Sequence, residues 1–365
     1  MVIEAAERAA LQATVADLLL AECAEADVRA VMESDEGFDR GLWGRLAEQG
    51  LTAMLVGPDH GGLGFGAQEI EAVAEEIGAV LLPSPFLSSA VLATALVQAV
   101  GTVEDLDRLL PPMADGSSIA TVALTGPHGS WTPEGVDVRW DGTLSGSSHY
   151  VLYGQVADIV LVVARTDSGF GVFQVSPDAA GFSRTAATVF DPTTRLSSFT
   201  FDQTPARRLG SAEDIGWAQV QSALDLAVVA LAGEQAGGAR RMFDLTVDYL
   251  KTRIQFGRPI GSFQALKHMA ADLLLEVESA ISAARHAAGL IASGDPDAES
   301  AVALAGFACA EAYQTVTAQA VQMHGGIGFT WEHPAHLYVR RARAGMQLFG
   351  SAAAYRERYL VAKGG

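Results

Sequence analysis

Three sets of helix breakers cut the C-terminal half of this 365-residue chain into four long stretches of helical patterning. The patterning resumes near Ala212 and runs through roughly 213–254, 261–293, 296–324 and 333–361. Its breaks fall at Gly257/Pro259, Gly294/Pro296 and Gly325/Gly326. Apolar residues recurring at helical spacing give each stretch one face to bury, and short connections turn each helix back beside the one before it. The pattern predicts an antiparallel four-helix bundle.

The period differs upstream. From about 116 to 205, short β-branched or aromatic runs cover Ile119 to Leu124, Val151 to Tyr153, Ile159 to Ala164, Gly171 to Val175 and Ser197 to Phe201. Gly, Asp, Pro and Ser turns separate them, which predicts a compact antiparallel β domain. Before residue 115, helical spacing returns in Trp43 to Ala47 leading into Leu51, in Gln68 to Val80 and in Leu87 to Val100. The glycine-rich loop from Gly57 to Gly66 is not a dinucleotide fingerprint, because no strand precedes it and the glycine spacing is wrong. The expected fold is α+β and mostly α. It comprises a helical domain over 1–115, a β domain over 116–208 and a four-helix bundle over 209–365.

Such a chain is long enough for more than one layer, and 49% hydrophobic against 18% charged residues marks a well-buried protein. The formal charge of −19 argues against nucleic acid, since phosphate binding needs a basic stripe. Cys23 and Cys309 lie far apart without metal-ligand spacing, so unbridged core thiols, no metal site and a cytoplasmic location are expected. The N-terminal stretch lacks the basic and apolar regions of a signal peptide, and no run is apolar enough to span a membrane.

Two motifs carry chemistry. One runs from Arg253 to Gln264 as RIQFGRPIGSFQ; the other runs from Gln322 to Phe329 as QMHGGIGF, followed by Glu332 and Pro334. Together, within this order of domains, they resemble two blocks of the acyl-CoA dehydrogenase family of flavoproteins, and the likeness covers nearly the whole chain.

The resemblance implies FAD as cofactor, an acyl-CoA substrate and electron-transfer flavoprotein as redox partner. It places Arg253 against the FAD pyrophosphate, often that of a neighbouring subunit, where a guanidinium fork pairs with phosphate oxygens. Gln255, Phe256 and Gln264 are carried over to the same cofactor site, with Phe256 and Gln264 beside the adenosine half. Gln322, Gly325 and Gly326 are carried over to the adenine-diphosphate portion, where glycine allows close backbone approach. Ser351 stands where a threonine usually bonds FAD. The segments expected to line the flavin ring are Leu124 to Ser130 and Tyr150-Val151-Leu152, in which Leu152 has no side-chain donor.

The resemblance also demands a glutamate to remove the substrate's α proton. Its two expected positions hold Phe349 and Ala227. Asp225 sits about 200° around the helix from Ala227, whereas Glu234 shares its face about 10 Å further along. Glu234 is thus a weak candidate base, expected otherwise to pair with Arg240 or Arg241. Retained adenosine-side residues with a lost base are similar in character to the base-less subunit of actinobacterial-type α2β2 steroid side-chain acyl-CoA dehydrogenases. That likeness implies a homologous partner subunit carrying the carboxylate. A homo-oligomer with a displaced base and a non-catalytic scaffold remain open as alternatives.

Overall fold

The computed structural model describes residues 4–210 and 214–364, so the expected onset of helix near Ala212 lies outside the described residues. Six α-helices come first: α1 (Ala5–Glu22), α2 (Glu25–Met32), α3 (Arg40–Glu48), α4 (Ala67–Ala79), α5 (Thr94–Val100) and α6 (Val103–Ala114). The strands are β1 (Ala120–Ala123), β2 (Arg139–Trp140), β3 (Leu144–Leu152), β4 (Ile159–Arg165), β5 (Phe170–Val175), β6 (Phe182–Ala186), β7 (Leu196–Thr204) and β8 (Arg207–Arg208). After them come α7 (Trp217–Thr252), a hairpin of β9 (Ile254–Gln255) and β10 (Arg258–Pro259), α8 (Gln264–Ser293) and α9 (Ala298–His324). Two shorter helices, α10 (Ala335–Gly345) and α11 (Ala352–Ala362), close the chain.

One compact unit takes Val31–Gly66 and Pro83–Ala227. Its sheet is ordered β6-β7-β3-β2-β4-β5-β8, with β1 paired to β4. The expected antiparallel pairing holds except at β1–β4 and β2–β4, which are parallel. Val160, Val162, Phe173, Phe199 and Phe201 fill its apolar core. Helix ends follow local chemistry: Asp39 caps α3 through the Gly41 and Leu42 N–H groups, and Thr102 with Asp105 forms a capping box on α6. A π-helical turn over Phe86–Ala93 precedes α5, and the Thr94 hydroxyl donates to the Ser89 carbonyl there at 2.9 Å.

The second unit takes the described residues up to Ala30, then Ala67–Leu82 and the chain from Val228. In it α9 packs against α8, α10 and α11, burying Ala305, Cys309, Tyr313 and Val316. Helices α4 and α7 meet backbone to backbone. A Cβ at Gly78 would lie 1.9 Å from the Glu234 carbonyl oxygen, and one at Gly237 would lie 1.8 Å from that of Glu75. Only glycine permits that approach. The division at about 115 and 208 rests on secondary-structure content, whereas these units are defined by packing.

The last bundle segment, expected as one helix over 333–361, is two helices. Met346 to Ser351 interrupts it, with Phe349 at φ 62° and Gly350 at φ 148°. Ser351 then caps α11, its hydroxyl oxygen accepting from the Ala354 N–H at 3.3 Å. A positive φ costs a bulky side chain about 1–3 kcal/mol, and burial of the Phe349 ring to 5% exposure helps to offset it.

Candidate functional site

The two positions where a base is expected are apolar and closed. Ala227 is fully buried in α7, and Phe349 is buried in the loop between α10 and α11. Asp225 accepts a 2.8 Å hydrogen bond from Gln221, whose own amide oxygen accepts from the Trp217 indole at 3.0 Å. That chain of contacts runs along the first turns of α7.

Glu234 is buried and forms an ion pair with Arg341 of α10. Each side chain is 10% exposed, and the second guanidinium nitrogen of Arg341 reaches the Leu81 and Leu82 carbonyls at 3.4 Å. The partner therefore differs from the two expected. Arg240 lies about 240° around α7 from Glu234 and pairs with Glu278 of α8. Arg241 shares the face but sits about 10 Å along the axis, and it hydrogen-bonds Tyr338 instead. A carboxylate gripped by a guanidinium in a closed site is fixed in position. That fixed pairing opposes the approach to a substrate proton that a general base requires.

The adenosine-side residues form a different kind of surface. Arg253 follows the last residue of α7, and its N–H donates to the Tyr249 carbonyl at 2.9 Å. The β9–β10 hairpin turns at Phe256 and Gly257, with φ values of 52° and 76°. Two central residues at positive φ match the twist of a tight hairpin. Its position is set by Arg258, whose guanidinium lies 4.1 Å from the centroid of the Phe263 ring. Arg253, Gln255, Phe256, Gln264, Gln322, Gly325 and Gly326 are all exposed, Phe256 to 90%.

Gln264 opens α8 behind an N-cap, Phe263, that makes no side-chain bond. The first N–H groups of a 30-residue helix are thus uncapped there. A Cβ at Gly325 or Gly326 would meet none of the described residues within 4 Å. The surface combines an arginine, uncapped N–H groups and bare glycine backbone, which suits a diphosphate. His324 joins its two halves, since the ring stacks on Tyr249 and meets His333. Sequence reading assigned neither Tyr249 nor His333 to the site; the only available signal was their place beside the two motifs.

The ring-side segments lie in the other unit, where the polar groups around Thr125 bond to one another. The Thr125 hydroxyl donates to the His149 carbonyl at 2.5 Å, and the Ser148 hydroxyl and His149 N–H both donate to the Thr125 carbonyl. Leu152 is buried, whereas Tyr150 is exposed at φ 58°. The residues of this chain therefore fit the diphosphate half of FAD and offer little to its ring. Among the described residues no group of three or more His, Cys, Asp or Glu is placed to hold a metal, and no helix is long and apolar enough to cross a membrane.

Known proteins match the chain over most of its length. Residues 5–117 match the acyl-CoA dehydrogenase N-terminal domain, and residues 214–362 match the acyl-CoA dehydrogenase C-terminal domain. The chain is 37% identical over 346 residues to the acyl-CoA dehydrogenase IpdE2 of Mycolicibacterium smegmatis, covering 94% of each protein. A solved structure of the ChsE4–ChsE5 complex from Mycobacterium tuberculosis superposes with a TM-score of 0.88 at 32% identity. That match covers 98% of this chain and 96% of the other. A variant of the Tcur3481–Tcur3483 steroid ACAD gives a TM-score of 0.88 at 31% identity, covering 98% of each chain.

Proposed function

The chain belongs to the acyl-CoA dehydrogenase family, and from that premise we propose that it is the base-less subunit of a heteromeric enzyme. The reaction is α,β-dehydrogenation of an acyl-CoA thioester. FAD is the family's cofactor, and bound FAD supplies the hydride acceptor. The catalytic carboxylate comes from a homologous partner subunit in an α2β2 assembly, and electron-transfer flavoprotein takes the electrons onward.

One observation carries this reading. Both positions for a base are apolar, and the nearest acid on the same helix face is held in the Glu234–Arg341 pair. The role left to this chain is positional. Arg253 would grip the pyrophosphate of a flavin bound largely by the partner, while Gly325 and Gly326 would let backbone approach it and Gln322 and Gln264 would bond its polar edges. Ser351, whose oxygen is used as a helix cap, keeps its hydroxyl hydrogen for a cofactor acceptor.

Exposure of Ile254, Phe256, Phe329 and Trp331 on the same end of the bundle supports a protein neighbour there, because such a cluster is costly to leave in water. Two structural relatives whose names join two proteins, one of them a steroid ACAD, support a heteromer and a bulky steroid-type acyl group. Replacing Arg253 with Ala tests the cofactor placement in the co-expressed complex. The flavin content per complex is expected to fall severalfold, and unchanged content would show that the diphosphate lies elsewhere.

A further inference from the structure

His324 ends α9 one residue before Gly325, and it is 3% exposed. Its Nδ1 lies 2.8 Å from the Ala320 carbonyl oxygen. A carbonyl only accepts, so Nδ1 carries the proton and Nε2 is a bare acceptor. That Nε2 is buried with no hydrogen-bond partner among the described residues. On one side the ring stacks on Tyr249 of α7, with centroids 4.6 Å apart and planes 25° apart. It also meets the His333 ring at 4.3 Å and 53°. His333 in turn accepts from the Ala335 N–H at 3.2 Å, which ties it to the start of α10.

Three segments thus converge on one ring: the last turns of α7, the end of α9, and the strap that returns from Gly325 to α10. Tyr249 is one turn before Arg253 and accepts its N–H. Gly325 directly follows His324. A shift of this ring would therefore move the arginine turn relative to the glycine loop. We infer that His324 is a positioning residue, whose stacked neutral ring fixes the Gly325-Gly326 loop against the Arg253 turn so that both meet one diphosphate ligand. The inference rests on the reading that these two segments hold the ADP half of FAD.

The choice of histidine gives this device a pH dependence that a phenylalanine would lack. Protonation would place a second N–H in a pocket that offers it no acceptor. The groups facing the ring are Tyr249 on α7 and His333 on the strap; behind His333 stand Glu25 and Arg29 of α2 and His336 of α10. Glu25 is the one acid in that set, and it acts on His333 and His336. Burial holds His324 below the usual histidine value. A loosened loop takes up the proton first, near the ordinary value of about 6.5, whereas the packed loop resists it. The packed state is therefore fully favoured above that value and loses its advantage as pH falls below it.

The test is FAD affinity of the co-expressed complex, titrated by flavin fluorescence between pH 7 and pH 5. Wild type is expected to weaken severalfold over that range, as the loosened loop takes up the proton that the packed loop resists. His324→Phe keeps the stack but cannot titrate. It should stay within about twofold of wild type at pH 7 and lose at least half of the acid fall, on a logarithmic scale. His324→Ala removes the stack and should weaken binding about tenfold at pH 7. Should the phenylalanine variant not fold, His324→Gln serves the same comparison, being polar and untitratable.

Wild-type affinity in the alanine variant would overturn the inference, as would an undiminished acid fall in the untitratable ones. Arg253→Ala separates the two levels of the argument. If it too leaves affinity unchanged, the FAD placement has failed; if it weakens binding while the His324 variants do not, only the positioning role has failed.

Discussion

Glu234 and Arg341 stand 107 positions apart in the chain and form one buried ion pair joining α7 to α10. The pair closes the one acid on the expected face of α7 and ties both helices to the carbonyls of Leu81 and Leu82.

Replacing Glu234 with Gln should separate structure from chemistry. Losing one charge of a buried pair leaves the other uncompensated, at a cost of about 3–5 kcal/mol, less whatever the amide's hydrogen bond retains. The melting temperature of the assembled enzyme should therefore drop, while turnover per folded enzyme stays within about twofold. A loss of about 100-fold or more, the scale of a missing general base, would make Glu234 catalytic.

Two classes of glycine should answer differently to alanine. At Gly78 and Gly237 the added Cβ would strike the backbone of the facing helix at 1.9 and 1.8 Å, so α4 and α7 must separate. Chemical denaturation should show a loss of about 3 kcal/mol or more at either site. At Gly326 the Cβ enters open space, and stability should change by less than about 0.5 kcal/mol. On the proposed placement of FAD, flavin affinity should nonetheless fall in that variant, because the Cβ would stand between the backbone and the diphosphate.

Glu71 sets a pH dependence of stability. It is 3% exposed on α4, and its Oε1 has no hydrogen-bond partner among the described residues. Burial first, and then the neighbouring Glu75, push its pKa up to about 8 against the opposing pull of Arg285 and Arg8. The native state therefore keeps a proton that the unfolded chain releases near 4.5. Stability from this group is fully present below about 4.5 and is lost as pH rises toward 8, at up to about 1.4 kcal/mol per pH unit. Glu71→Gln should flatten that slope in melts between pH 5 and 8. A variant whose slope matches wild type would show that Glu71 ionises normally.

Much of the fold was legible because strong punctuation surrounds it. Gly294 in the left-handed region ends α8 where the sequence break lies, and the β-branched runs of β4 and β5 are buried strands. β6 was missed because Phe-Ser-Arg-Thr-Ala is mostly polar and half exposed, so it lacks a core strand's signature. The break between α10 and α11 has no proline; its signal was Gly350 followed by Ser351, a capping residue read only as a cofactor ligand.

The candidate site divides along the same line. Arg253 and the glycine loop were readable as local motifs. The partner of Glu234 was not, since long-range pairing depends on which helix faces meet. The role of the His324 ring was hidden too, because its two ring partners, Tyr249 and His333, come from two other segments of the chain.

The most direct test is anaerobic addition of an acyl-CoA to the purified chain, alone and co-expressed with a homologous acyl-CoA dehydrogenase subunit, while the flavin absorbance is followed. The account predicts little flavin and no bleaching from the lone chain, with stoichiometric flavin and rapid bleaching from the complex. A lone chain that is yellow and bleaches with acyl-CoA would contradict it, since that chain would have to supply its own base.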